Sequence, residues 1–188
     1  MPSEKLTFIG HTGAKLAAQF DKPNGPILAT AIFAHCFTCS KDILAAKRIS
    51  QRLASAGVAV LRFDFTGLGH SQGEFSNTDF SSNVGDLIKA ADHMAGIGNP
   101  VSLLVGHSLG GAAVLKAAGQ IESVKAVVSI AAPSDPAHVA ANFGCHIDEI
   151  RENGSAEVSL AGRNFTITKD FLNDIDSANL LPAIAQMK

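Results

Sequence analysis

The chain has 188 residues, 46% of them hydrophobic and 17% charged, with a formal net charge of −2, which suits one domain with a sizeable core and is too short for two full ones. This composition excludes a disordered chain, and with no Trp, no Tyr and no Lys/Arg cluster there is no electrostatic footprint for nucleic acid and no stacking platform for bases. Apolar runs such as 27–34 fall far short of the roughly 20 residues that cross a bilayer, and Met1-Pro2-Ser3-Glu4-Lys5 has no basic flank leading into an apolar segment, so a cytoplasmic protein with no membrane partner is expected.

Residues 5–9 and 15–20 read as two short strands split by His11-Thr12-Gly13, a hairpin, and 21–26 is a turn cluster. The nearly continuous apolar stretch 27–34 predicts a parallel strand covered on both faces. Over 42–56, Ala46, Ile49, Leu53 and Ala56 recur at helical spacing, and Gly57 ends the pattern. A second buried-type strand covers 58–63, and Phe80, Val84, Leu87, Ile88, Ala91 and Met94 mark one face of a helix over 79–95. A strand over 100–105, an alanine-rich helix over 112–118 and a strand over 124–130 complete the alternation. Four parallel-type strands separated by three helices predict an α/β fold, a mostly parallel doubly wound sheet whose ligands sit at the carboxyl ends of its strands. Beyond residue 131 the pattern breaks. Pro133-Ser134-Asp135-Pro136 is a loop, 138–152 reads as a helix and 157–170 as a small hairpin around Gly162, so 136–176 forms a cap excursion on a single domain spanning 1–188. A last helix is expected over 179–188.

Chemistry concentrates at Gly106-His107-Ser108-Leu109-Gly110-Gly111, a serine in the turn between a strand and a helix. Small residues on either side of the serine suit a turn too sharp for a side chain, and such a turn holds the hydroxyl above the sheet. The pattern names acyl transfer by a nucleophilic serine. Residues 35–39 and 64–69 fall on the same rim of the sheet. His35 and His107 flank the site but fit hydrogen-bonded loop positions better than a general base, and Asp64 fits an anchor for its loop through backbone N–H bonds. His11, His70 and His93 read as surface positions. His138 and His146, near Cys145 and Asp148, fit a partly exposed helix face better than a metal centre, because no second ligand pair stands at fixed spacing. No metal and no cofactor is implied.

Taken together, these segments resemble the α/β-hydrolase superfamily, in particular its serine aminopeptidase-like and esterase-like members. The resemblance rests on the elbow around Ser108, on His35-Cys36-Phe37, and on Asp64-Phe65-Thr66-Gly67-Leu68-Gly69-His70-Ser71, which is similar to the family's Asp-x-Arg-Gly-x-Gly-x-Ser loop. The run Ala34-His35-Cys36-Phe37-Thr38-Cys39-Ser40-Lys41-Asp42 further resembles the hydrolase part of bacterial fusions with an osmotically inducible protein C (OsmC) type peroxidase domain, a second domain of which this chain contains nothing. The resemblance implies Ser108 as nucleophile, the backbone N–H groups of Leu109 and Phe37 as oxyanion donors, and a small-molecule acyl substrate that is an ester, thioester or amide. Cys36 stands where the family usually has Gly, and Thr66 where it usually has Arg. The family's triad follows the order Ser, acid, His, with the last two on loops after two further strands. Those strands are missing here, so the resemblance implies a C-terminally truncated domain that hydrolyses poorly, its acid and histidine lying beyond Lys188. Asp135 with His146 is an order-preserving substitute within the chain.

Two other readings stay open. Cys36-Phe37-Thr38-Cys39 is a C-x-x-C between a strand and a helix, the way thiol oxidoreductases present their cysteines, which allows thiol-disulfide catalysis, a redox gate on the hydrolase, or inert packing. Three cysteines make no disulfide framework, and a cytoplasmic compartment would keep them reduced. The third reading is a non-catalytic hydrolase-fold interaction module: strand 124–130 at the sheet edge invites pairing with a second copy or with a missing C-terminal segment.

Overall fold

The computed structural model describes residues 2–187. β1 (Ser3–Ile9) and β2 (Lys15–Asp21) form the expected antiparallel hairpin, and alternation along β2 buries Leu16, Ala18 and Phe20. β2 lies antiparallel to β4 (Val58–Phe63), while β4, β3 (Ala29–Ala34), β5 (Leu103–His107) and β6 (Ala126–Ile130) run parallel. The six-stranded order is β1-β2-β4-β3-β5-β6. β3 and β4 are apolar almost throughout because helices cover both of their faces. The doubly wound prediction therefore holds for four strands, with an antiparallel hairpin added at one side.

α1 (Leu44–Ser55) covers one face, over Ala31, Phe33, Val60 and Val105. α2 (Phe80–Gly96) and α3 (Leu109–Ala118) cover the other. α2 starts on a reciprocal cap: the Asp79 carboxylate accepts from the Ser82 N–H at 2.6 Å, and the Ser82 hydroxyl accepts from the Asp79 N–H at 2.8 Å. No helix among the described residues is long and apolar enough to cross a membrane.

The helix expected over 138–152 is broken. Asp135 caps a short 3₁₀ helix, Pro136–Asn142, and Gly144 at φ 52° interrupts the chain before α4 (His146–Asn153). The predicted hairpin is present as β7 (Ser155–Leu160) and β8 (Arg163–Thr168), joined by Ala161 and Gly162, both at positive φ as a tight hairpin turn requires. α5 (Lys169–Ser177) and α6 (Leu181–Ala185) follow. Phe143, Ile150, Val158, Ile167, Phe171 and Ile175 join the same core as α2 and α3. Asp174 on α5 also accepts from the Ser81 N–H at 2.8 Å and hydroxyl at 2.6 Å, tying this segment to the first turn of α2.

Candidate active site

Ser108 sits between β5 and α3 at φ 54°, ψ −126°, a conformation rare for a residue with a side chain and costing about 1–3 kcal/mol. Its N–H is held by the carbonyl of Ile130 at 2.9 Å, and its own carbonyl accepts from Gly111 at 2.8 Å. A Cβ on Gly106 would come closer than 3.0 Å to the backbone of Gly110 and Gly111, and one on Gly110 closer than 3.0 Å to the carbonyls of Ala34 and His35. Only glycine lets strand, turn and helix pack this closely. Leu109 is the first residue of α3, so its N–H is among the unbonded donors of a helix start.

β3 is hydrogen-bonded on both sides, to β4 and to β5, which sets the loop after it between Asp64 and Ser108. In that loop Cys36 and Cys39 form a disulfide. This corrects the expectation of reduced thiols: a turn closed by the Cys39 N–H on the Cys36 carbonyl at 3.1 Å brings the two Cα atoms to 5.3 Å, within the span a disulfide bridges. Phe37, inside the ring, lines a small cavity together with Leu109 and Gly110. Its side chain packs among Phe75, Phe143 and Phe171, at centroid distances of 5.8, 5.9 and 5.3 Å. Thr38 has φ 57°, and the Arg163 guanidinium donates to its carbonyl from β8. The 136–176 segment thus rests directly on this loop.

His35 is 1% exposed, and burial lowers its pKa to about 4. Nδ1 lies 2.8 Å from the Cys36 carbonyl, which can only accept, so Nδ1 carries the proton and Nε2 accepts from the Phe65 N–H at 3.4 Å. With both nitrogens engaged, this neutral ring is a structural part of the rim. His107 has a buried Nδ1 without a partner among the described residues. Asp135 is spent on the Ala137 N–H at 3.0 Å, and His146 Nδ1 faces Glu149 Oε2 at 3.2 Å, so the substitute pair is not assembled. Among the described residues no side chain hydrogen-bonds the Ser108 hydroxyl.

Asp64 is fully buried and, as expected, anchors its own loop through a backbone N–H; it also holds the loop that carries Lys41. Oδ1 accepts from the Lys41 N–H at 2.6 Å, and Oδ2 from the Lys41 ammonium at 2.8 Å and the His70 N–H at 2.9 Å. The His70 side chain is 79% exposed, a surface position as expected, and it is the backbone N–H that serves Asp64. His93 stacks on Phe8 at 5.6 Å. Lys41 has its pKa raised through Asp64 and Asp42, against the effect of burial. Asp42, beside Lys41, Lys47 and Arg62, has its pKa lowered to about 2. Arg62, in the buried strand β4, pairs with Asp21 at 2.7 Å and donates to the Lys41 carbonyl at 2.5 Å. Thr66 donates through N–H and hydroxyl to the buried Asp86, at 3.0 and 2.8 Å. Burial raises the Asp86 pKa.

Sequence reasoning overlooked Lys41, Arg62 and Arg163. Arg62 carried a signal, since a guanidinium inside an otherwise apolar strand requires a buried carboxylate. Arg163 carried none, because its partner is a backbone carbonyl 125 positions away in the chain. A cleft of about 580 Å³ lies by α2, α3 and α5 and is lined by residues such as Ser81, Lys89, Lys116 and Asp174, with Ser108 not among them.

The alpha/beta hydrolase family matches residues 31–186 of the chain. The esterase domain of a Rhodothermus marinus protein is 41% identical, with a TM-score of 0.74, the match covering all of this chain and 73% of that one. Est1E of Butyrivibrio proteoclasticus, solved with ferulic acid, superposes with a TM-score of 0.78 at 23% identity, over 95% of this chain and 73% of that one. A lidless α/β serine hydrolase from Xanthomonas campestris is 28% identical with a TM-score of 0.62, over 71% of this chain and 64% of that one. Among curated proteins none matches the chain. The elbow after β5, the parallel sheet and these likenesses agree, and the chain belongs to the alpha/beta hydrolase family.

Proposed function

We propose that this protein is a serine hydrolase acting on a small-molecule ester, thioester or amide through an acyl-enzyme on Ser108. The observation that carries this reading is the backbone of Ser108 at positive φ in a strand-to-helix turn that only Gly106 and Gly110 permit. In this reading the hydroxyl attacks the acyl carbon, and the N–H groups of Leu109 and Phe37 receive the developing oxyanion. Water then releases the acid. Residues 136–176 act as a cap over the acyl pocket, resting on the oxyanion loop through Phe143 and Phe171 packed against Phe37. No cofactor enters the cycle. With no acid–histidine pair on Ser108 among the described residues, deprotonation of the hydroxyl is the weak step, and turnover by these residues alone is slow.

Prolonged incubation with a fluorophosphonate, followed by peptide mass spectrometry, tests the assignment. An oxyanion hole and binding alone retain roughly 10³–10⁴-fold acceleration over water, so slow but specific labelling of Ser108, lost in Ser108→Ala, is expected. A Ser108 that stays unlabelled under excess probe overturns the assignment. Fast Ser108-dependent ester turnover would instead show that a base acts from within these residues.

A further inference from the structure

We propose that the Cys36–Cys39 disulfide is a redox-modification site, opened by a dithiol reductant, that sets whether the Phe37 N–H is held in place as an oxyanion donor. The effect on catalysis rests on the hydrolase reading above; the modification itself does not.

The argument starts from the size of the ring. The disulfide joins residues three apart, and Phe37 and Thr38 are the only residues between the sulfurs. One of the two backbone groups assigned to oxyanion binding thus lies inside the smallest covalent loop of the chain. The other, Leu109, is held by the hydrogen bonding of α3 and owes nothing to the disulfide. The two donors therefore differ in what fixes them.

Without the disulfide, the described restraints on this turn are the bond from the Cys39 N–H to the Cys36 carbonyl, the His35 ring on that same carbonyl, the Arg163 guanidinium on the Thr38 carbonyl, the buried Thr38 side chain, and the Phe37 ring against Phe75, Phe143 and Phe171. Thr38 stands at φ 57°, a conformation disfavoured for a residue with a branched side chain, so backbone preference works against this turn once the closure is released. The Phe37 ring is only partly buried among the aromatic side chains of the excursion. Both cysteines are also only partly buried, so a reductant has an approach that a core disulfide denies it.

The chemistry balances as thiol–disulfide exchange. A thiolate of the reductant attacks one sulfur, the S–S bond breaks, and the other cysteine leaves as a thiolate. The reductant's second thiol then displaces the mixed disulfide. In sum, two electrons and two protons pass to Cys36 and Cys39, and the reductant becomes the disulfide.

The test uses dithiothreitol as reductant and three readouts on the same samples. Alkylation with peptide mapping counts free Cys36 and Cys39 apart from the exposed Cys145. Amide ¹⁵N relaxation follows Phe37, with Leu109 as internal control. Acylation of Ser108 by a 4-nitrophenyl ester, corrected with Ser108→Ala, follows the chemistry. Expected are reversible reduction of the folded protein and a fall of the Phe37 order parameter from about 0.85 to below about 0.6 with Leu109 unchanged. Acylation should fall roughly ten- to a hundredfold, short of the full loss of a donor. Cys36→Ser with Cys39→Ser should reproduce the reduced behaviour and no longer respond to dithiothreitol. The proposal is overturned if the pair resists dithiothreitol in the folded protein, or if the Phe37 order parameter is the same in both forms. Acylation that is equal in the unchanged protein and in Ser108→Ala would sink the hydrolase reading and leave the Phe37 result to decide this one.

Discussion

Arg163, on the far hairpin of the excursion, donates to the carbonyl of Thr38, the residue next to the proposed oxyanion donor Phe37. Its guanidinium also lies over Phe165, 5.0 Å from the ring centroid, so one side chain joins β8 to the loop after β3. We expect Arg163→Ala to slow Ser108 acylation roughly three- to tenfold while changing KM less, with Arg163→Lys recovering part of the loss. An equal effect on kcat from a substitution at the exposed Glu157 would deny Arg163 a positioning role.

Lys41 and Asp64 form a buried pair in which the partners are not equally dependent. Removing the Asp64 carboxylate strands two backbone N–H groups and leaves the ammonium only its partly exposed carboxylate partner Asp42, at 3.0 Å, whereas removing the Lys41 ammonium leaves the carboxylate with both backbone donors. Breaking such a pair typically costs about 3–5 kcal/mol. Asp64→Ala should therefore fall at or above the top of that range and Lys41→Met near or below its bottom. Urea unfolding of the two variants gives the order directly, and the reverse order would refute it.

His35 imposes a pH dependence on stability. Its pKa is about 4 when folded against an ordinary histidine value of 6.5, so below 6.5 the unfolded chain takes up a proton that the folded chain refuses. The contribution is complete above 6.5 and is lost as the pH falls toward 4, amounting to about 3 kcal/mol. Protonation would also set an Nε2 proton against the Phe65 N–H. Unfolding free energies measured across this window should show a slope that His35→Gln removes; an unchanged slope in the variant places the proton elsewhere.

β6 forms one edge of the main sheet, and Val128 on it is 45% exposed. An apolar edge strand offers unpaired backbone groups to a second copy or to another segment. Light scattering of the 188-residue chain should show association that rises with concentration, and Val128→Lys should weaken it. A monomer that persists to concentrations on the order of 10⁻⁴ M would show that the edge is blunted by its own twist.

The parallel strands and covering helices were legible because burial on two faces writes continuous apolar runs, as in 58–63, and because amphipathic helices repeat Phe80, Val84, Leu87 and Ala91. The turn at Ser108 was legible for a similar reason: it tolerates so few residues that its glycines form a word. The break at Gly144 was not, since the apolar spacing of Val139, Phe143 and Ile150 continues through it. Nor was the disulfide foreseeable from cysteine number and expected compartment, because the turn that closes it is a local geometry. The supports of the site, such as Arg62 with Asp21, join residues 41 apart in the chain and leave only the oddity of an arginine in an apolar strand.

The crowding at Gly106, Gly110 and Gly111 has one more consequence. These positions have no side chains that could rearrange, so the elbow cannot loosen in part while β5 and α3 remain docked. Presentation of Ser108 and completion of the central sheet are then a single event, and the rate at which a refolding chain regains its reactivity toward an acylating probe becomes a clock for the sheet itself.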